Sequence, residues 1–159
     1  MSMVFVLISF IVPSVIFVLL PSALKWLFGK RPRRDILLLV ACALYAISWY
    51  LPSPLINGIN TQFTTHFLGG GVFCGLMWLY VTRSLNWKGA WWLEALSLYA
   101  TVCVLGVTNE LLEFTLLHLH LTSLTGADTW WDLVANTLGA AVFWVIYMAY
   151  RYIKNTTRA

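Results

Sequence analysis

Residues 128–151 read DTWWDLVANTLGAAVFWVIYMAYR. Acids stand at one end of this stretch and an arginine at the other, and almost everything between them is apolar or small. About 20 consecutive apolar residues in an α-helix cross the ~30 Å hydrocarbon layer of a bilayer. The stretch therefore predicts a membrane-spanning helix over about 130–152, with Trp130 and Trp131 in one interfacial belt. Helical spacing adds to this. Asp128, Asp132 and Asn136 recur at i, i+4, i+8 and share a face, which Gly139 and Ala140 continue with small side chains. A polar stripe that runs into a small-residue stripe belongs against another helix, not against lipid.

The rest of the chain extends this pattern. It has 159 residues, 60% hydrophobic and 10% charged, with a mean hydropathy of +0.79. That is room for a single domain, and the expected class is an all-α polytopic membrane helix bundle. Five spans are expected, at about 3–24, 36–51, 66–82, 91–117 and 130–152. Pro13 should kink the first. The second is short and closed by PSP at 52–54. The first segment has no basic residues ahead of its apolar run and a basic cluster after it, the pattern of an uncleaved span, not of a signal peptide. Cys42, Cys74 and Cys103 each sit in a different apolar segment, which predicts buried free thiols.

A net charge of +4 and a pI near 9.1 would suit a nucleic-acid binder, but the placement of the charges excludes one. Lys25, Lys30, Arg31, Arg33 and Arg34 lie between spans one and two. Arg83 and Lys88 lie between three and four, and Arg151, Lys154 and Arg158 follow span five. These are all ten cations. The positive-inside rule then places the N-terminus outside and the C-terminus in the cytoplasm. The cations face the inner leaflet and its anionic lipids.

Four of the six carboxylates, Glu110, Glu113, Asp128 and Asp132, fall between 109 and 136. The expected topology brings them together with His66, Asn109 and Asn136 in the outer leaflet, about 25 Å from the cations by a helix rise of ~1.5 Å per residue. A charge at mid-membrane depth costs roughly 2.5–3.5 kcal/mol on insertion scales, so these acids should face the bundle interior and form an electronegative pocket. Glu110, Glu113, Asp128 and Asp132, assisted by His66, are candidate acid/base groups, and Asn109 and Asn136 are candidate ligand contacts. His66, Glu113, Asp128 and Asp132 are candidate ligands for a divalent metal ion; oxygen-rich ligation with one imidazole suits Mg, Mn or Zn.

Plainer roles compete with these. Thr129 and Asp132 match a capping box, Asp128 could itself cap span five, and His66 could cap span three. Asn109 and Asn136 could be helix-packing contacts, and His118 and His120 interfacial loop residues. Gly71 and Gly75 form a G-x-x-x-G that permits close helix approach. Neither H-E-x-x-H nor G-x-S-x-G occurs. KWLFGKRP, residues 25–32, approaches the first basic motif of lipid-phosphate phosphatases but is one residue short and would face the cytoplasm.

Three motifs in order, THFLGGGVF (65–73), NELLEF (109–114) and GADTWWDLVANTLGA (126–140), resemble those of the VanZ-like membrane proteins and the related YjdF-like inner-membrane family. The matching residues are His66, Glu110, Glu113, Asp128, Asp132 and Gly139, and the resemblance covers about 60–141. It implies a polytopic protein of the bacterial plasma membrane, and VanZ-like members are linked to glycopeptide (teicoplanin) resistance. Two functions of different kinds remain open. One is a site for an outer-leaflet lipid or lipid-linked envelope precursor. The other is non-catalytic: an envelope scaffold, or a proton- or cation-linked carrier that at five helices would need to form a homo-oligomer. A structural protein with capping acids alone is the third reading. Glu94 is the only inner-half acid of span four, so no polar stripe reaches the inner side, which favours a one-sided site.

Overall fold

The computed structural model describes residues 3–29, 32–33, 35–56, 58–120 and 129–157. Its elements are α1 (Met3–Phe28), α2 (Ile36–Ser48), a ladder of β1 (Leu55–Ile56) with β2 (Ile59–Asn60), α3 (Phe63–Thr65), a π-helix (His66–Val72), α4 (Phe73–Ser84), α5 (Trp91–His118) and α6 (Thr129–Thr156). The fold is all-helical apart from the two-residue strands of that antiparallel ladder. Among the described residues, three segments are long and apolar enough to cross a membrane: Val6–Phe28, Trp91–His118 and Thr129–Thr156. α2 is as apolar but has 13 residues, about 20 Å at 1.5 Å per residue.

The helix ends follow from local chemistry. α1 carries both Pro13 and Pro21 and stops at Gly29, whose φ of +70° and amide bond to the Lys25 carbonyl (2.9 Å) form a left-handed cap. Asp35 caps α2 by accepting from the Leu38 amide at 3.1 Å. α2 gives way before Pro52, and the chain is then tied back. The Thr64 amide donates to Ser53 Oγ (3.0 Å), the Thr64 hydroxyl to the Pro52 carbonyl (2.9 Å) and the Thr65 hydroxyl to the Ser48 carbonyl (3.2 Å). These bonds fix the start of the third helical segment, and with it His66.

The core gathers around α4. Phe73, Trp78 and Tyr80 are buried against Leu38 and Ala41 of α2, Leu98 and Val102 of α5, and Ala140 and Phe143 of α6. Trp78 Nε1 donates to Ser97 Oγ (2.8 Å) and the Tyr80 hydroxyl to the Arg33 carbonyl (3.1 Å), so the polar atoms of these core rings are satisfied. The outward faces are the reverse of a soluble protein's. Val104, Leu111 and Phe114 on α5 and Val145 and Ile146 on α6 are each more than half exposed, a surface that suits acyl chains. Cys42 and Cys74 are buried free thiols and Cys103 is half-buried.

The π-helix is the one irregular piece, and its glycines explain its place. It packs more extensively against α6 than any other pair of elements does. A Cβ on Gly71 would lie 2.7 Å from the Ala140 amide nitrogen and the Gly139 Cα, and one on Gly139 would lie 3.0 Å from the Gly71 Cα. The two backbones therefore touch, which only glycine permits. They run in the same direction, with His66 beside Asp132, Gly70 beside Asn136, Gly71 beside Gly139 and Ala140, and Gly75 beside Phe143. The two small-residue stripes read from the sequence thus face each other.

Candidate functional site

At the upper end of this seam, His66 Nε2 stands 3.3 Å from Asp132 Oδ1. Asp132 is 2% exposed and His66 12%. Glu110 of α5 completes a cluster: one atom from each of His66, Glu110 and Asp132 lies within 4.8 Å of the other two. Three elements meet here for separable reasons. His66 is set by the threonine bonds to the end of α2. Asp132 sits in the first turn of α6, four residues before Asn136 on the same face. Glu110 comes from α5, which passes α6 at Gly106, where a Cβ would make only ordinary contacts, 3.4 Å from Asn136 Nδ2 and 3.8 Å from a Leu133 methyl.

Below the cluster opens a cavity of about 240 Å³ between α1, α2, the π-helix and α5. Its wall is apolar, from Ile8 and Val12 of α1 through Phe73 to Val102, Leu105 and Leu116. Its polar groups are His66, Asn109, Glu113 and Asn136, with Tyr45 of α2, Trp49 just after it, and the hydroxyls of Thr65 and Thr108. Asn109 Nδ2 donates to Glu113 Oε1 at 2.7 Å, four residues along α5. Asn136 is 5% exposed, and its Oδ1 has no hydrogen-bond partner among the described residues.

The expected metal set was His66, Glu113, Asp128 and Asp132. His66 and Asp132 do meet, but the third carboxylate within reach is Glu110, not Glu113. The two glutamates are three residues apart on α5, roughly 60° around the helix and ~4.5 Å along it, and Glu113 is turned to Asn109 and the cavity. Asp128 lies outside the described residues. His66 does not cap its helix: the helical run begins at Phe63 after Gln62, so His66 is already inside it. His118 and His120 are exposed and stand apart from the cluster. Tyr45, Trp49 and the α1 wall were not expected. The i, i+4 aromatic pair just before PSP was a usable signal for the first two, whereas Ile8 and Val12 carry none.

The opposite end of α5 and α6 is built differently. Glu94, 5% exposed, accepts a hydrogen bond from the Arg151 guanidinium, and Arg83 and Lys88 line a second cavity beside it. Two carboxylates around one imidazole, by contrast, can share or pass a proton, or hold a cation, because the histidine is neutral or charged as its surroundings dictate. No family model, curated protein or solved structure matches the chain.

Proposed function

We propose that the chain is a VanZ-like protein of the bacterial plasma membrane that binds or processes an outer-leaflet lipid or lipid-linked envelope precursor. In this proposal it spans the bilayer five times, with the N-terminus outside and the C-terminus in the cytoplasm. The observation that carries the proposal is the cavity: an apolar wall along α1 and α5 that ends in the polar groups of His66, Asn109, Glu113 and Asn136. Its wall is mostly apolar with its polar groups gathered at the His66 end, so an apolar guest with a polar head matches it better than water does. An acyl or prenyl chain is such a guest, and its polar head then reaches the His66 end. There the carboxylates and imidazole give acid/base groups at a depth where water is scarce.

The test is lipid retention. Full-length protein purified in mild detergent is examined by native mass spectrometry, beside a Val102→Trp variant that fills the cavity. Co-purified lipid is expected on the first and at least tenfold less on the second, with both equally folded. Equal retention by the two places the lipid elsewhere and removes the proposal.

A further inference from the structure

We infer that His66, Glu110 and Asp132 bind one divalent transition-metal ion of the zinc class, with its open coordination position facing the cavity that Asn136 lines. The inference deepens the outer-leaflet site proposed above but does not depend on what fills the cavity.

Four features support it. The first is ligand type: one imidazole and two carboxylates form a donor set that zinc and manganese accept, whereas calcium wants six to eight oxygens and magnesium keeps its waters. The second is spacing. Zn–N and Zn–O bonds of ~2.1 Å in a tetrahedron put neighbouring ligand atoms about 3.4 Å apart. His66 Nε2 and Asp132 Oδ1 already stand 3.3 Å apart, and no pair in the cluster exceeds 4.8 Å. The remaining closure is within the swing of the Glu110 side chain. The third is charge. Two carboxylates and one imidazole sum to −2 or −1, depending on the histidine proton, and a dication brings the group to zero when the imidazole is neutral. Excess charge at this burial is costly, so the ion offsets a cost that the sequence built in.

The fourth is independent of the cluster. Asn136 lies one helical turn below Asp132 on the same face of α6, is 5% exposed, and lines the cavity together with His66. Its Oδ1 has no hydrogen-bond partner among the described residues. A buried carbonyl oxygen of this kind is costly unless something donates to it. As it stands Oδ1 abuts the Gly70 backbone, and a rotation of the amide towards the open coordination position would give it a metal-bound water as donor. A metal-bound water beside an apolar cavity is also the group that would meet a polar lipid head.

The test uses full-length protein in detergent, stripped with EDTA, delipidated and re-equilibrated with ZnCl₂. Metal content is read by mass spectrometry after gel filtration, and coordination by zinc X-ray absorption. One zinc per chain is expected, with one imidazole and otherwise oxygen ligands. Asp132→Asn and Glu110→Gln should each lower zinc occupancy at least tenfold at a concentration that saturates the native protein. Both substitutions keep shape, and the melting temperature without zinc checks that each variant is folded. A His118→Ala/His120→Ala variant should keep its zinc; loss there would mean adventitious binding by exposed histidines and would overturn the inference. So would zinc retained by both acid variants, or none bound by native protein. Val102→Trp separates the two proposals: it should lose lipid yet keep zinc, so failure of the lipid site and failure of the metal site are read on different variants.

Discussion

Glu94 with Arg151 joins α5 to α6 at one end of α6, and Asp132 with His66 joins α6 to the π-helix at the other. Each buries a carboxylate, 5% and 2% exposed, against a base on a neighbouring segment. The arginine is always charged, so the Glu94 end is electrically complete as folded. The histidine is not always charged, and Glu110 adds a second carboxylate within 4.8 Å. The first arrangement fastens α5 to α6. The second sets two carboxylates around one titratable imidazole, an arrangement that a proton or a cation can complete. A buried acid is therefore not by itself a sign of function; what matters is whether its counter-charge is permanent.

The difference would break most completely if the two ends did not lie on opposite sides of a membrane. Reporters fused after Lys88 and after Ala159 should read cytoplasmic, and those within 53–64 or 119–127 extracytoplasmic. These are all-or-none outcomes, and a cytoplasmic reading from 119–127 would remove the outer-leaflet site. Next in size is the fastening itself. Arg151→Ala removes the guanidinium that Glu94 accepts from, leaving Arg83 and Lys88 across the cavity as the nearby cations, and should cost about 3 kcal/mol, the low end of the range for breaking a buried pair because Arg151 is 39% exposed. Thermal unfolding in detergent measures it, and adding Glu94→Gln should restore much of the loss. No change in melting temperature would show that this end holds nothing.

The seam comes third. Gly71→Ala drives a Cβ into the α6 backbone and should cost about 1–3 kcal/mol while moving His66 away from Asp132. Gly106→Ala, whose Cβ would meet only side chains at 3.4 Å or more, should stay within about 0.5 kcal/mol. Equal effects of the two would contradict the close approach. The smallest stability effect belongs to the acids at the His66 end of the helices. Asp132→Asn, Glu110→Gln and Glu113→Gln should hold or raise the melting temperature, since each removes one of several like charges, yet abolish the glycopeptide-susceptibility or envelope-stress phenotype that the proposed function requires. Full phenotype in all three would leave the outer acids structural, like Glu94.

Much of the seam was legible because helical period alone puts Asp132, Asn136, Gly139 and Ala140 on one face, and residues without side chains mark close approach. The third member of the cluster was not. Choosing Glu110 over Glu113 depends on how α5 is rotated about its axis. α5 is apolar nearly all round, so its sequence carries no reference face. The number of spans was only partly legible for a related reason: α2 has the composition of a span at 13 residues, and composition does not say how a helix of that length sits in ~30 Å of hydrocarbon. The α1 wall of the cavity was invisible, since Ile8 and Val12 look the same whether they face lipid, protein or a ligand.

The π-helix between His66 and Val72 separates two angular settings in one continuous helix. A π turn is equivalent to about one residue inserted into an α-helix, and one residue is ~100° of rotation. Everything below it, including Trp78 and Tyr80, is indexed to the core, while His66 above it is indexed to Asp132. Deleting Gly70 would return the segment towards α geometry and swing the imidazole by about 100° without turning the buried face of α4. The wide turn works as a phase shifter, by which the aim of the histidine can change while the core stays as it is.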